Sequence, residues 1–269
     1  METGLLRDGL TLLVGVLTGV LSGAFGVGGA IISTPGIRLL GVGPLVALGT
    51  TLPAILPSAL SGGLRYQAER LIDWRAVALT VPPGIAASVG GALASRIVPG
   101  QGHLLQLATA ALLGFSAWRT LVEQRSTSPT ESSDDPDEST WRERGHAGRL
   151  AGVGLAAGGL SGLLGLGGGL ILVPGLNQVG GLPLRSAVAT SLVCAGAFAV
   201  PGTITHGLLG NIDWRVALLL ALAVVPGARL GAAASLRLGS RGLATAVAVF
   251  LGVVAVVYAG GELLALAGD

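Results

Sequence analysis

The feature that most constrains this chain is a glycine-rich interruption inside an apolar segment, present twice. The first copy runs Gly19, Ser22, Gly23, Gly26, Gly28, Gly29 and continues Ala30-Ile31-Ile32-Ser33-Thr34-Pro35. The second runs Gly158, Ser161, Gly162, Gly165, Gly167, Gly168 and continues Gly169-Leu170-Ile171-Leu172-Val173-Pro174, 139 residues later at every position. Glycines packed as densely as Gly23, Gly26, Gly28 and Gly29 are poor material for a straight helix, each costing about 1 kcal/mol against alanine. A helix that breaks there exposes N–H and C=O groups, which in hydrocarbon must be buried in protein or line a cavity. One broken apolar helix in each half of a repeat points to a transporter's substrate site.

A membrane setting follows from composition. Hydrophobic residues make up 51% of the chain and charged residues only 11%, against about 25% charged in soluble domains. The 46 glycines show no collagen period and suit close helix packing. Arginines are scattered and aromatics are 4%, so a nucleic-acid partner is not indicated. A cleaved leader is not expected, because the apolar pattern continues past residue 35 and recurs internally.

The expected fold is an all-α polytopic membrane protein of about eight helical segments. They fall in two homologous four-segment repeats, each with a glycine-broken first helix. The first repeat covers residues 1–122, with further segments near 44–64, 75–95 and 103–122. The second covers 148–269, with segments near 183–202, 215–237 and 242–260. Pro53 and Pro57 are expected to interrupt the 44–64 segment. Residues 123–147 form a polar, acidic linker. Thr50-Thr51 matches Thr190-Ser191, Asp73-Trp74-Arg75 matches Asp213-Trp214-Arg215, and Pro83-Gly84 recurs as Pro226-Gly227. Two topologies are open. If the broken segments span, each half crosses four times and the repeats run parallel. Arg7, Arg65, Arg70 and Arg75 then share the side of the termini and linker, opposite Arg38, Arg96, Arg185, Arg237 and Arg241; this bias puts the termini inside the cell. If the broken segments re-enter, each half crosses three times and the repeats are inverted.

Catalytic chemistry has little support. His103, His146 and His206 form no metal-ligand spacing, Cys194 is the single cysteine, and no carboxylate pair lies within an apolar run. The chain is read as no enzyme, without cofactor or metal. The glycine runs lack the lysine of a phosphate-binding loop. A helix starting at such a break presents unpaired N–H groups and its positive dipole end to an anion. The candidate substrate-binding residues are therefore Gly26, Gly28, Gly29, Thr50, Thr51, Gly165, Gly167, Gly168, Gly169, Thr190 and Ser191. Ser22, Ser33, Thr34 and Ser161 add hydroxyl groups in the broken helices. The competing reading is that the glycines serve helix packing alone. Asp73 and Asp213 read first as helix N-caps. With His206 and Arg229 they are also the candidates for gating or coupling; Arg229 could equally snorkel to the surface.

The doubled glycine-serine-glycine signature, the paired threonine/serine positions and the two Asp-Trp-Arg segments resemble the TauE/SafE family of sulfite exporter-like membrane permeases. The resemblance covers nearly the whole chain outside the linker. It implies a multi-pass protein of the prokaryotic plasma membrane. Its partners would be the lipid bilayer, protons as the coupling ion, and a small sulfur oxyanion or organosulfonate such as sulfite, sulfoacetate or thiosulfate. A homodimer is one option for assembly. One departure is Ala30, where the second copy has Gly169. The alternative functions are an anion channel and a non-transporting membrane assembly protein.

Overall fold

In the computed structural model, residues 2–94, 114, 115, 118, 144–164 and 168–268 are described. They form nine helices: α1 (Glu2–Phe25), α2 (Ala30–Leu39), α3 (Pro44–Ala68), α4 (Trp74–Ala94), α5 (Arg144–Leu164), α6 (Gly169–Pro174), α7 (Leu184–Leu208), α8 (Trp214–Arg237) and α9 (Ser240–Gly268). A π turn over Gly175–Val179 extends α6. Four of these helices are long and apolar enough to cross a membrane, over Leu5–Phe25, Val46–Ala68, Leu184–Leu208 and Trp214–Arg237. The protein is an all-α, multi-pass membrane protein. The 103–122 segment and most of the linker lie outside the described residues. Where the linker meets α5, helix begins at Arg144, within the span assigned to linker.

The expected segments are otherwise in place, with one correction. Pro53 and Pro57 lie inside an unbroken α3, Pro82 and Pro83 inside α4, Pro201 inside α7 and Pro226 inside α8. Proline removes one hydrogen bond and crowds one carbonyl, a local defect that neighbouring helices absorb in a packed apolar protein. The chain instead breaks where several consecutive residues leave helical geometry. Gly26, Gly28 and Gly29 have φ of 69°, 79° and 80°, a region costly for any residue with a Cβ.

At each break the chain turns back along the helix it has just left. Gly29 lies beside Thr18 and Ser22, and Gly36 beside Val14, so α2 runs antiparallel to α1. Gly168 lies beside Ala157, Gly175 beside Val153 and Gly180 beside Leu150, so α6 folds back on α5 in the same way. The contacts also fix the other directions. α1 and α8 run parallel in close contact, Gly15 against Leu220 and Ala223, Gly23 against Ala228, with Asp8 and Arg215 ion-paired at 2.6 Å at their starts. α4 and α5 run parallel in equally close contact, Gly154 against Thr80 and Gly158 against Gly84. A methyl group at Gly23 or Gly158 would fall onto a backbone carbonyl of the neighbouring helix; small residues are what permit this approach without a hydrophobic driving force between helices.

Between these two pairs cross α3 and α7, antiparallel to each other, Gly62 against Leu192 and Gly202 against Leu52. α7 is the most deeply buried helix, with Ala187, Val188, Ala189, Leu192, Cys194, Ala195, Phe198 and Ala199 fully enclosed. Cys194 fills a helix face in the core. Trp74 and Trp214 are 55% and 62% exposed at the starts of α4 and α8, where an indole suits the membrane interface.

The arrangement contradicts the arginine distribution expected of spanning broken helices. Arg65, at the end of α3, lines one cavity with Arg185 and Arg237, whereas that topology puts Arg65 on the opposite side. The start of α1 and the α3–α4 turn therefore lie at opposite ends of the bundle. Single cysteines at Leu5 and Arg70, in a Cys194→Ala background, are expected to react with impermeant reagent from opposite sides of the membrane. Labelling of both from one side would restore the spanning topology.

Candidate functional site at the helix breaks

The two breaks meet in the interior. Gly169, the first residue of α6, packs against the backbone of Val27 in the first break so closely that a Cβ would overlap it. This explains the departure between copies: Ala30 has room beside Leu52, Ile55 and Ala199, whereas Gly169 has none.

The first break is held by hydroxyl groups from other helices. Ser22 accepts the Gly26 N–H through its carbonyl at 2.8 Å, closing α1. The Ser191 hydroxyl on α7 donates to the Gly26 carbonyl at 2.9 Å, with the Val188 carbonyl at the same distance. Tyr66 near the end of α3 donates to the Gly23 carbonyl at 2.7 Å. Ser58 donates to the Ser22 hydroxyl at 2.9 Å. α2 then starts at Gly29 and α6 at Gly168, both N-caps left-handed and neither bonded by a side chain. The N-termini of two helices are thus left without side-chain caps where the breaks converge.

A small void lies against the first break, walled by Thr18, Gly28, Gly29, Ser33, Thr51 and Ser58, with Ala30, Ala54, Ile55 and Val224 completing the wall. Its walls leave no room for a water molecule. The Thr51 hydroxyl shares a hydrogen bond with the Thr34 hydroxyl at 3.3 Å and donates to the Leu48 carbonyl at 3.1 Å. The Ser33 hydroxyl returns to the Gly29 carbonyl at 3.2 Å. Thr18 is 3% exposed and its hydroxyl has no hydrogen-bond partner among the described residues. A buried unpaired hydroxyl costs about 1–3 kcal/mol, so this group is an unfilled donor and acceptor at the break.

Of the residues expected at the site, Gly28, Gly29 and Thr51 line this void together. Gly26 and Ser191 form its support toward α7. Gly168 packs on Ala157 and Phe198 and Gly169 on Val27, neither in the wall of the void, while Gly165 and Gly167 lie outside the described residues. Thr50 and Thr190 do something else. Thr50 accepts the Asp213 N–H at 2.9 Å, and Thr190 accepts the Asp73 N–H at 3.1 Å. Each threonine ties the helix start of the other half. Asp73 and Asp213 are N-caps, accepting from Ala76 N–H at 2.9 Å and from Arg215 and Val216 N–H at 3.1 and 3.2 Å. His206 lies in the last turn of α7 beside Gly49, away from the void. Arg229 is exposed on α8 and is not among the residues that wall the void. Thr18 and Ser58 were missed; the signal was their helical phase, Thr18 one turn before Ser22 and Ser58 two turns after Thr51.

Residues 11–258 match the family described as Sulfite exporter TauE/SafE. The chain belongs to that family, which is a family of membrane transporters and not of enzymes. It is similar to the probable membrane transporter protein YunE of Bacillus subtilis (strain 168), 27% identical over 237 residues, 82% of this chain and 85% of the relative. It is 30% identical over 227 residues to the probable membrane transporter protein YdhB of the same organism, 83% and 88% of the two chains. An archaeal relative, the probable membrane transporter protein MJ0441 of Methanocaldococcus jannaschii, is 24% identical over 259 residues, 91% and 92% of the two chains. No solved structure matches the chain.

The reciprocal threonine bonds can be tested apart from transport. Thr50→Val and Thr190→Val each remove the acceptor of a half-buried N–H of the opposite half, so each is expected to cost about 1 kcal/mol. Denaturation of the purified protein in detergent measures this. Equal stability of both variants and wild type would show that the two bonds carry no weight.

Proposed function

We propose that this chain, as a TauE/SafE family member, is a secondary transporter of small sulfur-containing oxyanions, working by alternating access around its two helix breaks. The observation that carries this reading is the convergence of the breaks at Val27 and Gly169 beside a hydroxyl-lined void holding an unpaired Thr18. Uncapped helix starts favour negative charge. Hydroxyl groups donate to an oxyanion without the desolvation cost of a buried counter-charge. Gly26, Gly28, Gly29, Thr51 and the second break from Gly165 to Gly169 form the substrate region in this reading, with Ser191 as its support. The relatives' description as membrane transporters and the family's as a sulfite exporter agree with it.

Two features favour a carrier over a channel. The void is closed to water, so substrate access requires movement. The antiparallel hairpins α1–α2 and α5–α6 start at opposite ends of the bundle, which fits two inverted halves covering 1–122 and 148–269. In this reading each half crosses three times, with a re-entrant hairpin. Arg65, Arg70, Arg75, Arg185, Arg237 and Arg241 then share one face, against Arg7, Arg38 and Arg215 at the other. The positive-inside rule puts the first group in the cytoplasm. Protons are the coupling ion proposed. Because Asp73 and Asp213 are occupied as N-caps, the proton travels with the substrate, which suits sulfite better than a sulfonate.

Reconstituted liposomes test the function. Sulfite, thiosulfate or a small sulfonate is expected to drive flux that depends on a proton gradient, whereas a cation or neutral sugar is not. Flux that ignores the gradient at rates far above carrier turnover would make the protein a channel. Absence of anion-dependent flux would leave the assembly-protein alternative.

The site itself is tested by Thr18→Val. An isosteric valine removes the unpaired hydroxyl, so the unliganded protein is expected to gain about 1 kcal/mol or more of stability while anion-induced thermal stabilisation falls. Gly28→Ala and Gly167→Ala are expected to abolish that stabilisation in protein that still folds. If all three variants keep full anion-dependent stabilisation, the substrate site lies elsewhere.

A further inference from the structure

A cavity of about 370 Å³ lies outside the breaks, at the ends of α3 and α8 and the start of α7. It is lined by Arg65, Glu69, Leu71, Arg185, Leu236 and Arg237, with Ala233 behind them. The lining holds three arginines against one carboxylate. Glu69 is taken by Arg65 at 3.3 Å, both half-exposed. Arg185 donates one guanidinium N–H to the Leu238 carbonyl at 2.5 Å, but its Nε is buried and has no acceptor among the described residues. Arg237 pairs with no carboxylate among the described residues. Arginine at a helix C-terminus is ordinary for Arg65 and Arg237 taken singly. Dipole pairing does not account for convergence of three guanidinium groups from three helices on one cavity, nor for Arg185, which sits at a helix start where its charge is disfavoured. A buried guanidinium N–H without an acceptor is a costly group that a carboxylate, sulfate or phosphate oxygen satisfies in fork geometry.

We infer that Arg65, Arg185 and Arg237 form a second oxyanion site, separate from the helix breaks and open to the membrane interface, for a tetrahedral or pyramidal group such as sulfate, sulfite or a phosphate. The phosphate could be that of an anionic lipid headgroup, since the cavity lies where headgroups do. Tyr66, adjacent to Arg65 in sequence, separates this site from the first break, with its hydroxyl on the Gly23 carbonyl. The inference does not rest on transport, and its test involves no flux.

The test compares full-length wild type, Arg185→Gln/Arg237→Gln, Arg185→Lys/Arg237→Lys and Arg215→Gln, each confirmed monodisperse after purification. One arm titrates inorganic sulfate and sulfite by calorimetry in zwitterionic detergent. The other measures retention of phosphatidylglycerol against phosphatidylcholine by native mass spectrometry. The glutamine variant is expected to weaken oxyanion binding by roughly tenfold or more, the lysine variant to weaken it less, and Arg215→Gln, which removes an exposed arginine outside the cavity, to retain it. Weakened phosphatidylglycerol retention in the glutamine variant, with no soluble anion bound by wild type, would assign the site to the headgroup phosphate. If wild type binds neither probe, or the glutamine variant binds both as wild type does, there is no oxyanion site in this cavity.

Discussion

Backbone that leaves helical geometry inside an apolar protein must be given hydrogen-bond partners by other elements. The rest of the structure is arranged around that requirement. The first break passes its Gly26 carbonyl to Ser191 on α7 and the preceding Gly23 carbonyl to Tyr66 on α3. Both helices therefore have to cross the centre of the bundle. With α3 and α7 in the middle, α1 and α8 take one flank and α4 and α5 the other. The close flanking contacts rest on small residues such as Gly23 and Gly158, because apolar bulk alone gives no preference for protein over lipid tails.

Local signals were read well from the sequence. The Asp73 and Asp213 caps act within three or four residues, and the structure has them where they were expected. The breaks were legible because several glycines close together oppose a helix whatever surrounds them. Prolines were misread for the complementary reason. A single proline is a small defect, and tertiary packing decides whether the helix survives it.

The site was partly legible. Thr50 and Thr51 are neighbours in sequence, yet about 100° apart around the helix axis. Only Thr51 faces the void, while Thr50 reaches Asp213. Without a known packing direction the two could not be told apart. Thr18 carries no motif at all, and it stands out only because its hydroxyl is buried and unpaired. Arg229 lies mid-run in an apolar helix, where the sequence left an inward charge partner and a snorkelling side chain both open; its exposure agrees with the second.

The reciprocal threonine bonds have a consequence for biosynthesis. The N–H of Asp73 waits for a hydroxyl 117 residues further along, and the hydroxyl of Thr50 waits for an N–H 163 residues further along. Neither bond exists when the first half leaves the ribosome. The N-terminal half is thus a provisional assembly, with the start of α4 free to shift until α7 has been inserted. Completion of the chain, more than insertion of any one helix, locks the core: a chain released before α8 would have the Asp73 bond but lack the Thr50 bond.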